Sequence, residues 1–243
     1  MRPEITVLPS PDAVASALAT RTAAAIRQAL DGEPRATLCL TGGSTPEPAY
    51  RQLARAEGID WDRVHVFWGD ERAVGPDDED SNFRMAREAL LDPVGLPDTN
   101  VHRIEGERGA DEAARRYEAD LEFFFGDDGV AFDVLHLGMG GDGHMASLFP
   151  GSPALGERDR RAIDTQSPPS SPVRHRVTLT YPAFAGARLT LVAAHGAGKR
   201  EAFADVVGAY DRGVSSDAPP VARVATAGEL VWLVDEALAD GLV

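Results

Sequence analysis

The sequence predicts an α/β fold in which a mostly parallel sheet is covered by helices on both faces. Three observations point there. Strand-like and helix-like segments alternate along all 243 residues, the pattern of successive βαβ units. The central strand candidates are nearly continuous apolar runs, as strands buried on both faces require. Polar, glycine-rich stretches follow directly after three of those runs, where open parallel sheets bind their ligands.

Taken in order, Ile5–Leu8 is a short apolar strand candidate. Asp12–Leu30 is alanine-rich with apolar residues at helical spacing, preceded by Ser10-Pro11 and stopped at Gly32. Ala36–Leu40 is a strand that runs into the loop Thr41–Thr45. Pro46 suits the first turn of a helix reaching about Glu57. Val64–Trp68 is a strand buried on both faces, and an acidic loop, Gly69–Asp80, follows it. Ser81 or Asn82 caps a helix through Leu91. Val101–Ile104 reads as a short strand, Asp111–Phe125 as a helix and Phe132–Leu137 as another buried strand. Arg176–Thr180 and Leu189–Ala193 are strands, Lys199–Val207 a helix, Leu230–Val234 a late strand and Asp235–Ala239 a closing helix. Two Pro/Ser-rich stretches, Gln166–Pro172 and Ser215–Pro220, are short enough to be loops rather than boundaries. With no repeat and no linker, one domain spanning 1–243 is expected.

Composition narrows the function. Apolar residues at 43% and charged residues at 26% are ordinary globular values. A net charge of −15 argues against nucleic acid and anionic membranes as partners. The single cysteine, Cys39, excludes an intrachain disulfide and a cysteine-based metal site. No H-x-x-x-H or H-E-x-x-H occurs, so no metal is expected. The N-terminus lacks the apolar core of a secretory signal and no stretch is long enough to cross a membrane. A cytoplasmic location is the expectation. Of the 24 cationic residues only Lys199 is lysine. It is a candidate for a place where a compact ammonium is needed and a guanidinium will not fit, the alternative being chance retention.

Three loops carry the candidate chemistry. Thr41-Gly42-Gly43-Ser44-Thr45 offers free amides, two hydroxyls and a backbone that a ligand can approach closely, the makings of a phosphate cradle. It is neither a dinucleotide fingerprint nor a nucleotide P-loop. Lys199, after Gly196-Ala197-Gly198, is placed to add a point charge to the same anion. Gly69-Asp70-Glu71-Arg72 allows two readings: a satisfied ion network at a strand end, or substrate positioning, with Arg72 on an anion or a developing oxyanion. Gly138-Met139-Gly140-Gly141-Asp142-Gly143-His144 presents Asp142 and His144 at a strand end with little side-chain bulk around them. A histidine there suits a general base near neutral pH. His136 sits inside a strand and reads as a core residue, and His65, His102, His175 and His195 show no partner pattern. No G-x-S-x-G elbow is present. A water activated by histidine, acting on a phosphate-bearing substrate, fits these pieces.

These residues resemble a known family. The run Leu137-Gly138-Met139-Gly140-Gly141-Asp142-Gly143-His144-Met145-Ala146-Ser147-Leu148-Phe149-Pro150, preceded by Phe132-Asp133, is similar to the signature of the 6-phosphogluconolactonases. Leu40–Pro46, Trp68–Arg72 with Ser81-Asn82, Arg176–Thr180, Gly196–Lys199 and Trp232–Asp235 follow in the family's order. The resemblance implies a Rossmann-like fold shared with glucosamine-6-phosphate deaminase. It also implies an enzyme without cofactor that opens the δ-lactone of 6-phosphogluconate in the oxidative pentose phosphate pathway, as a monomer or weak homo-oligomer. On that resemblance His144, Asp142 and Arg72 are the catalytic candidates. Gly42, Gly43, Ser44, Thr45, Asp70, Arg176 and Lys199 are the substrate- and phosphate-binding candidates, with Arg174 able to take the place of Arg176. Met145 stands where the family commonly has Thr, and its side chain is expected to face the core. A sugar-phosphate isomerase or deaminase of the same fold is the alternative, with Asp70 as its base. The deaminases usually read Asp-Glu-Tyr in place of Asp70-Glu71-Arg72, and Ile-Ala-Phe-Asn after the Asp-Gly-His block. A non-catalytic phosphosugar sensor would need a DNA-binding helix-turn-helix, for which the chain leaves no room.

Overall fold

The computed structural model describes residues 2–126 and 129–243. Six parallel strands form the main sheet: β1 (Glu4–Leu8), β2 (Ala36–Leu40), β3 (Val64–Trp68), β5 (Val134–Gly138), β8 (Leu189–Ala194) and β9 (Glu229–Asp235), in the spatial order β1-β9-β8-β5-β2-β3. Every residue of β2 is buried, which is why its apolar run does not alternate. A second, antiparallel sheet in the order β4-β7-β6 comprises β4 (Asp70–Arg72), β6 (Ala162–Gln166) and β7 (His175–Leu179). The expected mostly parallel sheet is therefore present.

The helices are α1 (Pro11–Gly32), α2 (Glu47–Leu53), α3 (Asn82–Ala86), α4 (Asp92–Val94), α5 (Ala110–Phe125), α6 (Tyr181–Phe184), α7 (Arg200–Arg212) and α8 (Glu236–Ala239). Ser10 caps α1 by accepting from the Ala13 amide at 3.2 Å. The helix lays Val14, Leu18, Ile26 and the alanines between them on the sheet. A π-turn over Arg87–Leu91 joins α3 to α4. Phe203 of α7 packs on Trp232 of β9.

Several expectations need correction. The helix after Pro46 ends at Leu53, not near Glu57, because Arg55 and Ala56 tighten into i→i−3 bonds. Of Val101–Ile104 only Val101 bridges, to Val66; the chain then turns so that Gly106 lies against the Arg72 carbonyl, where a side chain would collide. The acidic loop Gly69–Asp80 contains β4. Neither β6 nor α6 is signalled by the sequence pattern. Lys199 closes a 3-10 turn (Ala197–Lys199), and α7 starts one residue later and runs to Arg212. His136 is a core residue, with Nε2 2.7 Å from Thr22 Oγ1.

The strand order places the site. From β2 the chain steps outward to β3, then returns to β5 on the other side of β2 and proceeds through β8 and β9 toward β1. The direction of winding therefore changes between β2 and β5, the switch point at which such sheets open a crevice. The carboxyl ends of β3, β2, β5 and β8 lie side by side and feed Gly69–Arg72, Thr41–Thr45, Met139–His144 and His195–Lys199 into it.

Candidate active site

A cleft of about 220 Å³ lies at these strand ends. It is lined by the Thr41–Pro46 loop, Asp70, Arg72, Asn82, the Gly138–Gly140 turn, His144, Arg176 and Lys199. All but two of the candidates from the sequence meet here. The exceptions are Arg174, described below, and Asp142, which faces a neighbouring pocket and reaches the cleft only through His144.

The histidine is held from behind. Asp142 Oδ1 lies 2.5 Å from His144 Nδ1 and also accepts from the His144 amide at 3.1 Å. This bond holds the Asp142 carboxyl below the usual carboxylate range. With Nδ1 engaged, Nε2 is the nitrogen left for chemistry. The ring rests on Phe149, centroids 4.6 Å apart. Glycine is required at Gly140, where a Cβ would stand 2.1 Å from the imidazole. At Gly143 the backbone is left-handed (φ 78°) and packed on Pro219. Met145, just after the histidine, is buried as expected, and Ala146 sits at φ 45° in a tight turn. That turn delivers the Ser147 hydroxyl to Asp70 Oδ2 at 2.6 Å.

Asp70 and Arg72 alternate with Glu71 along β4, so both side chains enter the cleft while Glu71 points the other way. The ion-network reading of this block does not hold. Glu71 forms no ion pair among the described residues and is taken up by hydrogen bonds at the head of α3. Arg72 bonds the Asp80 carbonyl, and its buried Nε has no partner. Directly across the β4–β7 ladder stands Arg176, braced by Ser171 Oγ at 2.9 Å and the Val173 carbonyl at 3.2 Å. Two like charges thus face each other on adjacent strands, an unfavourable pairing by itself. Burial first, opposed by Asp70 and reinforced by Arg72, pulls the Arg176 guanidinium below its ordinary range. Arg174 lies before β7, turns to Gln166 at 3.0 Å and lines a separate surface groove of about 1140 Å³ that has no histidine. The Lys199 ammonium makes no hydrogen bond or ion pair among the described residues, and burial pulls it below the ordinary lysine range.

Four supporting residues escape sequence reasoning. Asn82 donates to the Asp70 carbonyl at 2.9 Å and to Asp70 Oδ1 at 3.3 Å, and packs so closely on Gly42 that a Cβ there would overlap it. Ser147 is the second group on Asp70. Tyr50 Oη accepts from the Thr41 amide at 3.0 Å and donates to the Thr41 carbonyl at 2.9 Å. Tyr117 Oη does the same for Trp68 at 2.9 Å each way. Each tyrosine satisfies both backbone groups of one residue at the end of a strand, where the ladder stops supplying partners. Away from the cleft, His65 and His102 are partnered after all: their rings meet at 3.1 Å, and His102 Nδ1 lies 2.9 Å from Asp120 Oδ2. Among the described residues no group of three or more His, Cys, Asp or Glu is arranged to hold a metal ion.

A basic-walled cleft at a topological switch point, with a histidine–carboxylate pair at its edge, defines a class of α/β enzymes acting on small anionic substrates. Within it the chain belongs to the family of glucosamine-6-phosphate isomerases and 6-phosphogluconolactonases, whose model matches residues 9–232. A 6-phosphogluconolactonase of Nostoc sp. is 39% identical over 241 residues, covering 98% of this chain and 97% of the relative. The solved 6-phosphogluconolactonase of Trypanosoma cruzi superposes with a TM-score of 0.86 at 26% identity, over 100% of this chain and 97% of that one. A monomeric glucosamine-6-phosphate deaminase, 22% identical with a TM-score of 0.80 over 97% and 98% of the two chains, shares the fold. No helix among the described residues is long and apolar enough to cross a membrane.

Proposed function

We propose that this chain hydrolyses 6-phospho-D-glucono-1,5-lactone to 6-phospho-D-gluconate by means of a water activated by His144. The observation that carries the mechanism is the 2.5 Å Asp142–His144 contact at the edge of a cleft lined by Arg72, Arg176 and Lys199. Asp142 accepts a hydrogen bond from Nδ1–H, so Nε2 presents a lone pair. Nε2 takes a proton from water as the water oxygen bonds to the lactone carbonyl carbon. The carbonyl oxygen becomes an oxyanion, which a guanidinium of the Arg72–Arg176 pair stabilises. On collapse the bond from that carbon to the ring oxygen breaks, and the imidazolium returns its proton to the departing ring oxygen. Asp142 is a positioning residue in this scheme: it fixes the tautomer and favours the transient imidazolium. Gly42, Gly43, Ser44 and Thr45, with Lys199, hold the phosphate, and Asp70 orients the sugar hydroxyls.

The enzyme is read as one α/β domain acting in the cytoplasm on a small phosphorylated lactone, as a monomer or weak homo-oligomer, with no nucleic-acid partner. The test is a coupled assay on freshly generated lactone, with spontaneous hydrolysis subtracted. Wild type should greatly exceed the spontaneous rate, and His144→Ala should lower kcat by about 10²- to 10⁴-fold while remaining folded. A folded His144→Ala protein with near wild-type kcat would remove the histidine from the mechanism.

A further inference from the structure

Glu71 stands between two residues that line the cleft and is itself turned away from it. The residue is 2% exposed. Oε1 accepts from the amides of Arg72 and Asn82, both at 2.8 Å, and Oε2 accepts from the Phe83 amide at 2.7 Å and the Ser81 hydroxyl at 3.0 Å. All four partners belong to β4 or to the cap and first turn of α3, so this one side chain ties the two segments together, beside the bonds from Asn82 to Asp70.

The consequences reach the cleft along two short routes. Through its own neighbour, Glu71 fixes the backbone from which the Arg72 side chain departs. Through the Asn82 amide it sets the residue whose side chain binds Asp70 and abuts Gly42 in the phosphate-loop candidate. We infer that Glu71 is a positioning residue for the reaction, holding Arg72, Asn82 and, through Asn82, Asp70 and the Gly42 loop in their working arrangement. This rests on the lactonase reading given above.

A cap needed only for stability would not use a charge here. Burial raises the Glu71 carboxyl above the ordinary range, outweighing the three amides that favour its ionised form, and Asp70 adds to the rise. Arg103 and Arg176 are near enough to be influenced by its charge, yet neither pairs with it. Serine or threonine caps helices without burying a charge. What the carboxylate offers over a hydroxyl is two oxygens that each accept two bonds, joining four donors from two segments at once.

The test is a double-mutant cycle on kcat/KM with the phosphorylated lactone, using Glu71→Gln and Asn82→Ala. Glutamine keeps the shape but has one accepting oxygen, so donors on the other side face an NH₂ group. Glu71→Gln should lower kcat/KM by about 10- to 100-fold, the usual consequence of leaving buried donors unpartnered beside a site. In the Asn82→Ala background the same change should cost far less, because much of its effect passes through the Asn82 side chain. A merely structural role would multiply the two losses. Should Glu71→Gln fail to fold, Ser81→Ala removes one of the four donors together with the cap that Ser81 places on the Arg84 amide, and a roughly threefold or greater loss of kcat/KM that vanishes with Asn82→Ala is expected. Wild-type kcat/KM in either folded variant, or equal losses in both backgrounds, overturns the inference. Absence of lactone hydrolysis by the wild-type protein would instead overturn the function on which it rests.

Discussion

Removing the charge of Lys199 should weaken phosphate binding without weakening the fold. Lys199→Met keeps an unbranched apolar side chain and deletes the ammonium. In the free protein that ammonium has no hydrogen bond or ion pair among the described residues, and burial lowers its proton affinity. A folded pKa below the unfolded one means that the folded state binds the proton less well. The charge therefore costs stability below the folded pKa, and the cost fades as pH rises through it. Lys199→Met removes this cost, so its Tm at pH 7 should equal or exceed that of wild type. Binding should move the other way. A hydrogen bond to a charged group is worth roughly 1.5–3 kcal/mol, or about 10- to 150-fold in KM. With phosphate held alike in ground and transition states, as this reading requires, kcat should change little. The assay compares 6-phosphoglucono-δ-lactone with glucono-δ-lactone, which has no phosphate. Only the first should lose affinity. Wild-type affinity for the product 6-phosphogluconate should also fall as pH rises into the lowered lysine range, and Lys199→Met should lack that fall. Equal losses with both lactones, or a lower Tm in the variant, would refute the argument.

Two further perturbations separate the parts of the site. Asp142→Asn should lower kcat by about 10²- to 10³-fold with KM little changed, because an amide facing Nδ1 favours the tautomer that places the proton on Nε2; calorimetric titration with 6-phosphogluconate should show nearly unchanged affinity. Gly140→Ala should displace the His144 ring, since the added carbon would lie 2.1 Å from it, and a loss of kcat larger than any loss of product affinity is the expected signature.

Much of the fold and site was legible because local rules and tertiary needs coincide there. Four of the five residues of β2 are apolar because both of its faces are covered, and the glycine loop that follows lines the cleft, where the sequence pattern placed a ligand loop. The second sheet was not legible. Its β4 is three residues long and reads Asp-Glu-Arg, with no apolar pattern, and becomes a strand only by pairing with β7 more than 100 residues later. The same distance hides Ser147 and Tyr117. Serine and tyrosine are common everywhere, and their roles come from partners 77 and 49 residues away. Choosing between Arg174 and Arg176 needed the start of β7: Arg176 is within the ladder opposite Arg72, and Arg174 falls before it, in the turn toward Gln166.

The distribution of charge explains how so acidic a chain presents a site for an anion. Among the described residues twelve arginines, from Arg2 to Arg200, pair with carboxylates, all in partly exposed ion pairs that are worth little individually. The three cleft cations are treated differently. Arg72 and Arg176 bond only to carbonyls and a hydroxyl, which orient a guanidinium without cancelling its charge. Lys199 is left with no partner at all among the described residues. The one cleft carboxylate, Asp70, is occupied by Ser147 and Asn82 rather than by an arginine. Like charges opposed across β4 and β7, an orphaned Arg72 Nε and a desolvated ammonium are each unfavourable alone. Together they leave positive charge lining the cleft that no carboxylate pairs with among the described residues, a charge that an anionic group of a substrate would offset.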